Sequence, residues 1–348
     1  MDSKGSLEMR IGYPCINWTI GCKGDRTFRL KSFSEERLIK TIENNLDCLL
    51  KMLRFNVRYN TLFFRITSDL VPFASHPICQ FNWQGYFENK FRVIGDFIKK
   101  YGIRISMHPD QFTLINSVDN RVFETSLKEL IYHAQVLDLM ELDTSAKVQI
   151  HVGGVYGNKE KSTKRFIERF EKLDETIKRR LVIENDDRNY SLEDCLRINA
   201  ETGIPVLFDV FHHEFNNSGE TIREAFEVFT KTWKEKDGIP MVDYSSKQRG
   251  ERKGKHAESI DLEQFKKFLE ETKPFDFDIM LEIKDKEKSA LKAIKAASQD
   301  DRLCIVGEMR NKKSILREEV CYILLSIGYF ATNYQMSISC FLSKILNL

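Results

Sequence analysis

The metal-binding types of side chain in this sequence recur where short apolar segments end. Each segment from the third to the eighth carries a histidine or a carboxylate at or near its end: His108, His151, Glu184, Asp209, Asp243 and Glu282. Imidazole nitrogens and carboxylate oxygens, without cysteine, suit Mn²⁺, Zn²⁺ or Fe²⁺. The pattern therefore indicates a metal centre if the fold brings these positions together.

Most of the histidines lie at or just after the ends of these same apolar segments. Five of the chain's seven histidines fall at these segment ends or in the loops that follow: His76, His108, His151, His212 and His256. Only His133 and His213 fall elsewhere. A lone histidine such as His151 is more often a hydrogen-bonded core residue, but five together favour metal binding.

Two glutamates strengthen this interpretation, because Glu184 in VIEND and Glu282 in MLEIK interrupt apolar segments. Burying an unpaired carboxylate costs several kcal/mol, roughly, unless a positive charge neutralises it. A buried Lys or Arg could serve one of them but would hardly serve Glu184, Asp209 and Glu282 together. We expect two or three ions, with Glu184 and Glu282 as the catalytic carboxylates that bridge them.

Eight short apolar or β-branched runs must position these side chains. The runs are Met9 to Cys15, Leu62 to Thr67, Ile103 to His108, Val148 to Val152, Arg180 to Glu184, Pro205 to Asp209, Pro240 to Tyr244 and Asp278 to Ile283. Segments of helical period separate them, for example one with Leu38, Ile42, Leu46, Leu49 and Leu53 on one face.

Strands that alternate with helices imply a parallel sheet, because parallel neighbours need a crossover helix. Eight such units predict an α/β fold of the TIM type, a (β/α)8 barrel, over residues 1–300. The carboxyl ends of its strands would meet at one active-site face. An open doubly wound sheet also fits the alternation, but neither GxGxxG nor GxxxxGK[ST] is present, so we expect no organic cofactor.

Composition sets the remaining bounds. The chain has 348 residues, a net charge of +2 and eight scattered cysteines without a CxxC pair. We expect reduced thiols, no secretion signal and no membrane span, hence an intracellular protein, cytoplasmic in a prokaryote or nuclear otherwise. Residues 301–348 are expected to form an added C-terminal helical tail of unknown role.

Several motifs in order show that residues 9 to about 298 resemble the UV damage endonucleases. The motifs are RIGYPCIN, FRITSDLVPFASHP, MHPDQF, HVGG, IENDD, FDVFHH and LEIKDKE. The resemblance implies metal ligation by His76, His108, His151, Glu184, Asp209, His212, Asp243, His256 and Glu282, usually of manganese (Mn²⁺), with Zn²⁺, Mg²⁺ or Fe²⁺ as alternatives.

The resemblance also implies an activity. The family cuts double-stranded DNA immediately 5′ to cyclobutane dimers, 6-4 photoproducts or abasic sites, as the first step of repair. Residues at DNA-contacting or lesion-probing positions are Tyr13, Asn17, Gln111 and Phe112.

Two departures from the family pattern concern the site. Phe112 stands where a tyrosine is expected, although its ring can still stack. Met241 and Asp243 replace an expected lysine and histidine on the seventh strand, which puts a third ion in doubt.

Positive charge near these positions suits DNA. The segment SSKQRGERKGKH, after the seventh run, provides Lys247, Arg249 and Lys255 for phosphate contacts, and the loop after the first run contains Lys23, Arg26, Arg29 and Lys31. Arg65 could meet a phosphate or pair with a barrel carboxylate.

Three alternatives stay open at this point. A sugar isomerase or epimerase can use the same barrel and a similar ligand set, but it would not need the basic loop. An abasic-site endonuclease of the endonuclease IV type would differ mainly in the lesion it cuts. A damaged-DNA-binding protein with impaired catalysis would explain Met241, Asp243 and Phe112.

Overall fold

Eight parallel strands close into a barrel in sequence order, with β1 pairing β8. A computed structural model describes residues 9–247 and 255–305 of the chain. The strands are β1 Ile11–Pro14, β2 Phe63–Ile66, β3 Arg104–Met107, β4 Lys147–His151, β5 Leu181–Glu184, β6 Val206–Asp209, β7 Met241–Tyr244 and β8 Asp278–Leu281. The TIM-barrel prediction is therefore confirmed, and every strand falls within or overlaps its predicted run.

Helices surround the barrel and connect successive strands. Within the described residues they are α1 Glu35–Arg58, α2 Trp83–Tyr101, α3 Asn120–Leu139, α4 Lys159–Glu171, α5 Glu175–Lys178, α6 Leu192–Thr202, α7 Val210–His213, α8 Ile222–Phe229, α9 Leu262–Glu271 and α10 Glu287–Ala296. Short 3-10 turns occupy Leu30–Ser32, Ser68–Leu70, Thr230–Thr232 and Glu235–Asp237.

Local sequence explains these elements. Helix α1 begins where Ser34 caps the amide of Arg37, and its predicted apolar stripe, from Leu38 to Leu53, is buried against the barrel. On β1, a Cβ at Gly12 would lie 1.5 Å from the carbonyl oxygen of Phe63, so only glycine lets β1 and β2 approach so closely.

The starts of the strands, opposite the predicted active-site face, carry their own buried ionic groups. Lys147 pairs with Asp237 at 2.6 Å, and Arg104 donates to the carbonyl oxygens of Asp237 and Ile239. These groups connect β3 and β4 to the turn that precedes β7. They lie at the opposite end of the barrel from the carboxyl ends of the strands.

One expectation is wrong and two lie outside the described residues. Cys22 and Cys48 form a disulfide, 2.07 Å between sulfurs, where reduced thiols were expected, because the loop after β1 folds back on α1 and brings the two together. Arg249 and nearly all of the predicted helical tail, residues 301–348, lie outside the described residues. No helix in the described ranges is both long and apolar enough to cross a membrane.

Candidate metal centre

The barrel brings the predicted ligands to the carboxyl ends of its strands. His151, Glu184 and Asp209 are the last residues of β4, β5 and β6, while His108 and Glu282 directly follow β3 and β8. Strand register sets two close pairs, since His151 lies opposite Glu184 and Asp209 lies opposite Asp243. Sequence spacing alone could not show these pairings.

Three overlapping groups of side chains could each hold an ion. They are His108, His151 and Glu184; Glu184, Asp209 and His212; and Asp209, Asp243 and Glu282, with the ligand atoms in each group within 4.8 Å of one another. Glu184 belongs to the first two groups and Asp209 to the last two. A carboxylate shared in this way can bridge neighbouring ions.

Distances around Glu184 show how closely the ligand atoms converge. Its Oε1 lies 3.2 Å from Nδ1 of His212 and 4.0 Å from Nδ1 of His151, and its Oε2 lies 3.6 Å from Nε2 of His108. Nδ1 of His212 is also 3.3 Å from Oδ2 of Asp209. Glu184 is therefore the centre of the cluster.

Hydrogen bonds outside the cluster orient its members. Asp209 caps the short helix α7, accepting from the amide of His212 at 2.7 Å, and this turn directs the His212 ring back toward the strand ends. The side chain of Asn185 bonds both the amide and the carbonyl of Asp209 at 2.9 Å. Such outer contacts fix the ligand geometry of metal sites.

The electrostatics of the cluster show an excess of buried negative charge. Burial and the nearby Glu184 and Glu282 raise the pKa of Asp209 to about 8, even with His212 adjacent. Burial opposes protonation of His212, yet Asp209 and Glu184 raise its pKa to about 11. The cluster thus retains protons that a bound cation would replace.

These residues fit a divalent metal. Nδ1 of His151 and Nδ1 of His256 are buried and have no hydrogen-bond partner among the described residues, as expected for imidazole nitrogens that await a ligand. Mixed imidazole and carboxylate donors suit Mn²⁺, Zn²⁺ or Fe²⁺.

Two predicted ligands lie outside the three groups. His256 is half-buried, with Nε2 at 3.5 Å from Oε2 of Glu282, so it lies beside the cluster. His76 is exposed in the loop after β2, and its Nδ1 accepts from the amide of Ile78. His133 and His213, which the sequence set apart, are buried and bonded elsewhere.

Two further buried residues, Arg65 and Gln149, contact the carboxylates of the cluster. Arg65 was singled out from the sequence, and Gln149 was not. Arg65 pairs with Asp243 and Glu282, which answers the open choice between phosphate and carboxylate. The missed residue, Gln149, donates to Asp243 at 2.6 Å and also to Glu184. It lies two residues before His151 on β4, so both side chains point into the barrel, and its polarity within KVQIHV was the available signal.

Tyr13 and Asn17, predicted to contact DNA, are buried in the structure, where they bond to each other and to helix α1. The Tyr13 hydroxyl donates to Asn56 of α1 at 2.6 Å and accepts from Asn17 at 2.8 Å, and both residues are buried. Alternation along β1 turns Tyr13 toward the helix layer. The pair connects β1 to α1.

Other predicted DNA-contacting residues lie in loops at the strand-end face, and three of them, Gln111, Phe112 and Lys247, are exposed. Gln111 and Phe112 lie in the loop after β3, and the Phe112 side chain is 73% exposed. Lys247 is exposed and pairs with Glu214 at 3.0 Å, while Lys255 is half-buried. An exposed phenylalanine at this face can stack on a base.

Comparison with known proteins decides the family. The sequence profile of the family described as UV-endonuclease UvdE matches residues 9–310. The chain belongs to the UV-endonuclease family. It is therefore an endonuclease, as predicted, and its sugar-isomerase alternative is not supported.

Relatives of this UV-endonuclease family member agree. A "UV DNA damage endonuclease" of Clostridium perfringens is 39% identical over 92% of this chain and 77% of its own length. One from Bacillus cereus (strain Q1) is 35% identical over 83% of this chain and 94% of its own.

Solved structures show the same fold. The crystal structure of SacUVDE has a TM-score of 0.82 and 47% identity, and the match covers 85% of this chain and all of that one. Endonuclease IV from Thermus thermophilus, at a TM-score of 0.52 and 13% identity over 72% of this chain and 94% of its own, shares the fold alone.

Proposed function

We propose that this DNA repair endonuclease is metal-dependent and nicks double-stranded DNA immediately 5′ to UV photoproducts, both cyclobutane dimers and 6-4 products. The observation that carries the metal dependence is Glu184, a buried carboxylate shared by two histidine-containing ligand groups at the strand ends. The names of the relatives support UV-damaged DNA as the substrate, and the cutting position and the photoproduct types rest on the family resemblance alone. Abasic sites are a second substrate class, because they also lack normal stacking.

The ligands divide between two positions around Glu184. His108 and His151 would bind one ion with it, and Asp209 and His212 would bind the other. Bound divalent ions, Mn²⁺ foremost, supply an activated water nucleophile and neutralise the phosphate oxygens. Glu282 lies at the same face, with His256 beside it. There it would orient His256 on the side of the second ion.

The other side chains would hold the DNA. Phe112 would wedge into the stack and Gln111 would probe the bases that it displaces, which costs less at a photoproduct because stacking is already disturbed there. Lys247 and Lys255, together with Arg249, would contact backbone phosphates. Tyr13 and Asn17 would act indirectly, by holding β1. The enzyme would work where the DNA is, in the cytoplasm of a prokaryote or otherwise in the nucleus.

The proposal is tested by cleavage of three labelled duplexes that carry one thymine dimer, one abasic site or no lesion. Each is incubated with chelator-treated protein, with and without added Mn²⁺, and the products are mapped at nucleotide resolution. We expect Mn²⁺-dependent cutting directly 5′ to the dimer and little cutting of intact DNA. Equal cutting of all three duplexes, or cutting that persists in excess chelator, would contradict the proposal. If the protein binds metal but cuts none of the duplexes, the result would favour the alternative of a damaged-DNA-binding protein with impaired catalysis.

A further inference from the structure

The guanidinium of Arg65 lies inside the barrel among the carboxylates of the third candidate ion position. Arg65 is buried on β2, and its Nη2 is 2.8 and 2.7 Å from the two oxygens of Asp243. Its Nη1 donates to Oε1 of Glu282. Two of the three members of the group Asp209, Asp243 and Glu282 are thus already paired with a fixed positive charge.

Gln149 completes the surroundings of Asp243. Its Nε2 donates to Oδ2 of Asp243 at 2.6 Å, and its Oε1 accepts from Nη2 of Arg65 at 2.7 Å. Asp243 is fully buried, and both of its oxygens accept N–H donors. An ion here would have to displace the guanidinium or lie beside it, and like charges repel strongly in a dry interior.

The two candidate ion positions that contain Glu184 differ from the third in the side chains that pair with their carboxylates. Among the described residues, no arginine or lysine side chain is paired with Glu184 or Asp209; their side-chain partners are histidines and Gln149. Histidine can release its proton and become a ligand, whereas arginine stays protonated. These two positions can therefore accept ions, and the third is filled by the protein itself.

We propose that Arg65 takes the place of a third metal ion, so that the centre holds two ions and Asp243 is the partner of Arg65 and not a ligand. The inference rests on the proposed metal-dependent function and deepens it. Arg65 is then a positioning residue, because its bond to Oε1 of Glu282 leaves Oε2 directed toward His256.

Metal content separates this arrangement from a three-ion centre. Chelator-treated protein is reloaded with Mn²⁺, and bound ions per chain are measured by mass spectrometry and by titration of the free-Mn²⁺ paramagnetic resonance signal. We expect two ions in the wild type and two, with unchanged affinity, in Asp243→Asn. Arg65→Gln vacates the position and should gain a third ion. Arg104→Gln is the control, because Arg104 is also a buried strand arginine but lies at the opposite end of the barrel; it should keep two.

The opposite results are equally distinct. Three ions in the wild type, loss of an ion in Asp243→Asn, or only two in a folded Arg65→Gln would overturn the role of Arg65 and leave the metal-dependent function intact. If Arg65→Gln does not fold, the wild type and Asp243→Asn decide alone. No bound ion in any variant would contradict the proposed function, and the inference with it.

Discussion

Oε1 of Glu184 lies 3.2 Å from Nδ1 of His212, although the two residues belong to different βα units. Glu184 ends β5, and His212 lies in the short helix that follows β6. The barrel brings them together only because parallel neighbouring strands end at the same face. This pair is the core of the proposed centre.

Glu184→Gln should fold yet lose metal and cleavage. The amide keeps the shape of the side chain but removes the charge shared by two ligand groups, so we expect Mn²⁺ affinity and nicking to fall at least about 100-fold. Dialysis with metal analysis and the dimer-duplex assay measure both. Glu36→Gln, an exposed glutamate on α1, is the matched control and should change neither. Full nicking activity in Glu184→Gln would show that Glu184 is not an essential ligand of the metal centre.

Metal binding should release protons and strengthen as the pH rises. His212, with its pKa raised to about 11, and Asp209, with its pKa raised to about 8, both hold protons in the metal-free cluster at neutral pH, and a ligand must be deprotonated. Between pH 6 and 8 the affinity should therefore rise by roughly tenfold per pH unit for each proton released. Calorimetry in buffers of different ionisation enthalpy counts those protons. An affinity independent of pH would argue against ligation by these two residues.

Phe112→Ala should weaken binding to damaged DNA without affecting stability. An exposed side chain contributes little to the fold, whereas loss of one stacked base costs about 1–3 kcal/mol, or roughly 5- to 150-fold in affinity. Binding to a dimer duplex and thermal unfolding give the two readouts. Phe112→Tyr should retain binding, and Val118→Ala, which removes another exposed apolar side chain of the same loop, should change nothing. Normal binding by Phe112→Ala would exclude it as the wedge.

The loop after β1 should contribute nonspecific affinity through Lys23 and Arg26. Asn45 of α1 bonds both the amide and the carbonyl of Arg26, and Asn44 bonds the carbonyl of Lys23, so the exposed cations are held on a fixed backbone. The variant with both residues changed to alanine should bind damaged and intact DNA more weakly by the same factor. The slope of log affinity against log salt concentration should become shallower by about 0.9 for each lost phosphate contact.

A control for that double variant is Lys40→Ala on α1, whose ammonium is already paired with Glu36. It should leave both affinity and salt slope unchanged. If the double variant loses affinity for the lesion alone, the loop reads damage and is not a general phosphate contact.

Tyr13→Phe should destabilise the protein while sparing the metal centre. Without the hydroxyl, Asn17 and Asn56 lose a buried partner, at a cost of about 1–3 kcal/mol. Denaturant unfolding should show this loss, and Tyr59→Phe, at an exposed tyrosine, should not. Unchanged stability combined with weaker DNA binding would restore Tyr13 to the DNA surface.

The barrel could be predicted because apolar strand runs and helical periods are local properties of the sequence. The ligand cluster could be predicted in outline for the same reason, since residues at strand ends must converge. The Arg65, Gln149 and Asp243 network could not, because it depends on which side chains face one another across the barrel interior. The burial of Tyr13 against α1 could not be predicted for a related reason, because one step along β1 decides between the interior and the helix layer.

The most direct test of the metal centre is anomalous X-ray scattering at the manganese edge from crystals soaked in Mn²⁺. We predict two peaks that share Glu184, one bounded also by His108 and His151 and the other by Asp209 and His212. Absence of any peak at Glu184 under saturating Mn²⁺ would contradict the account.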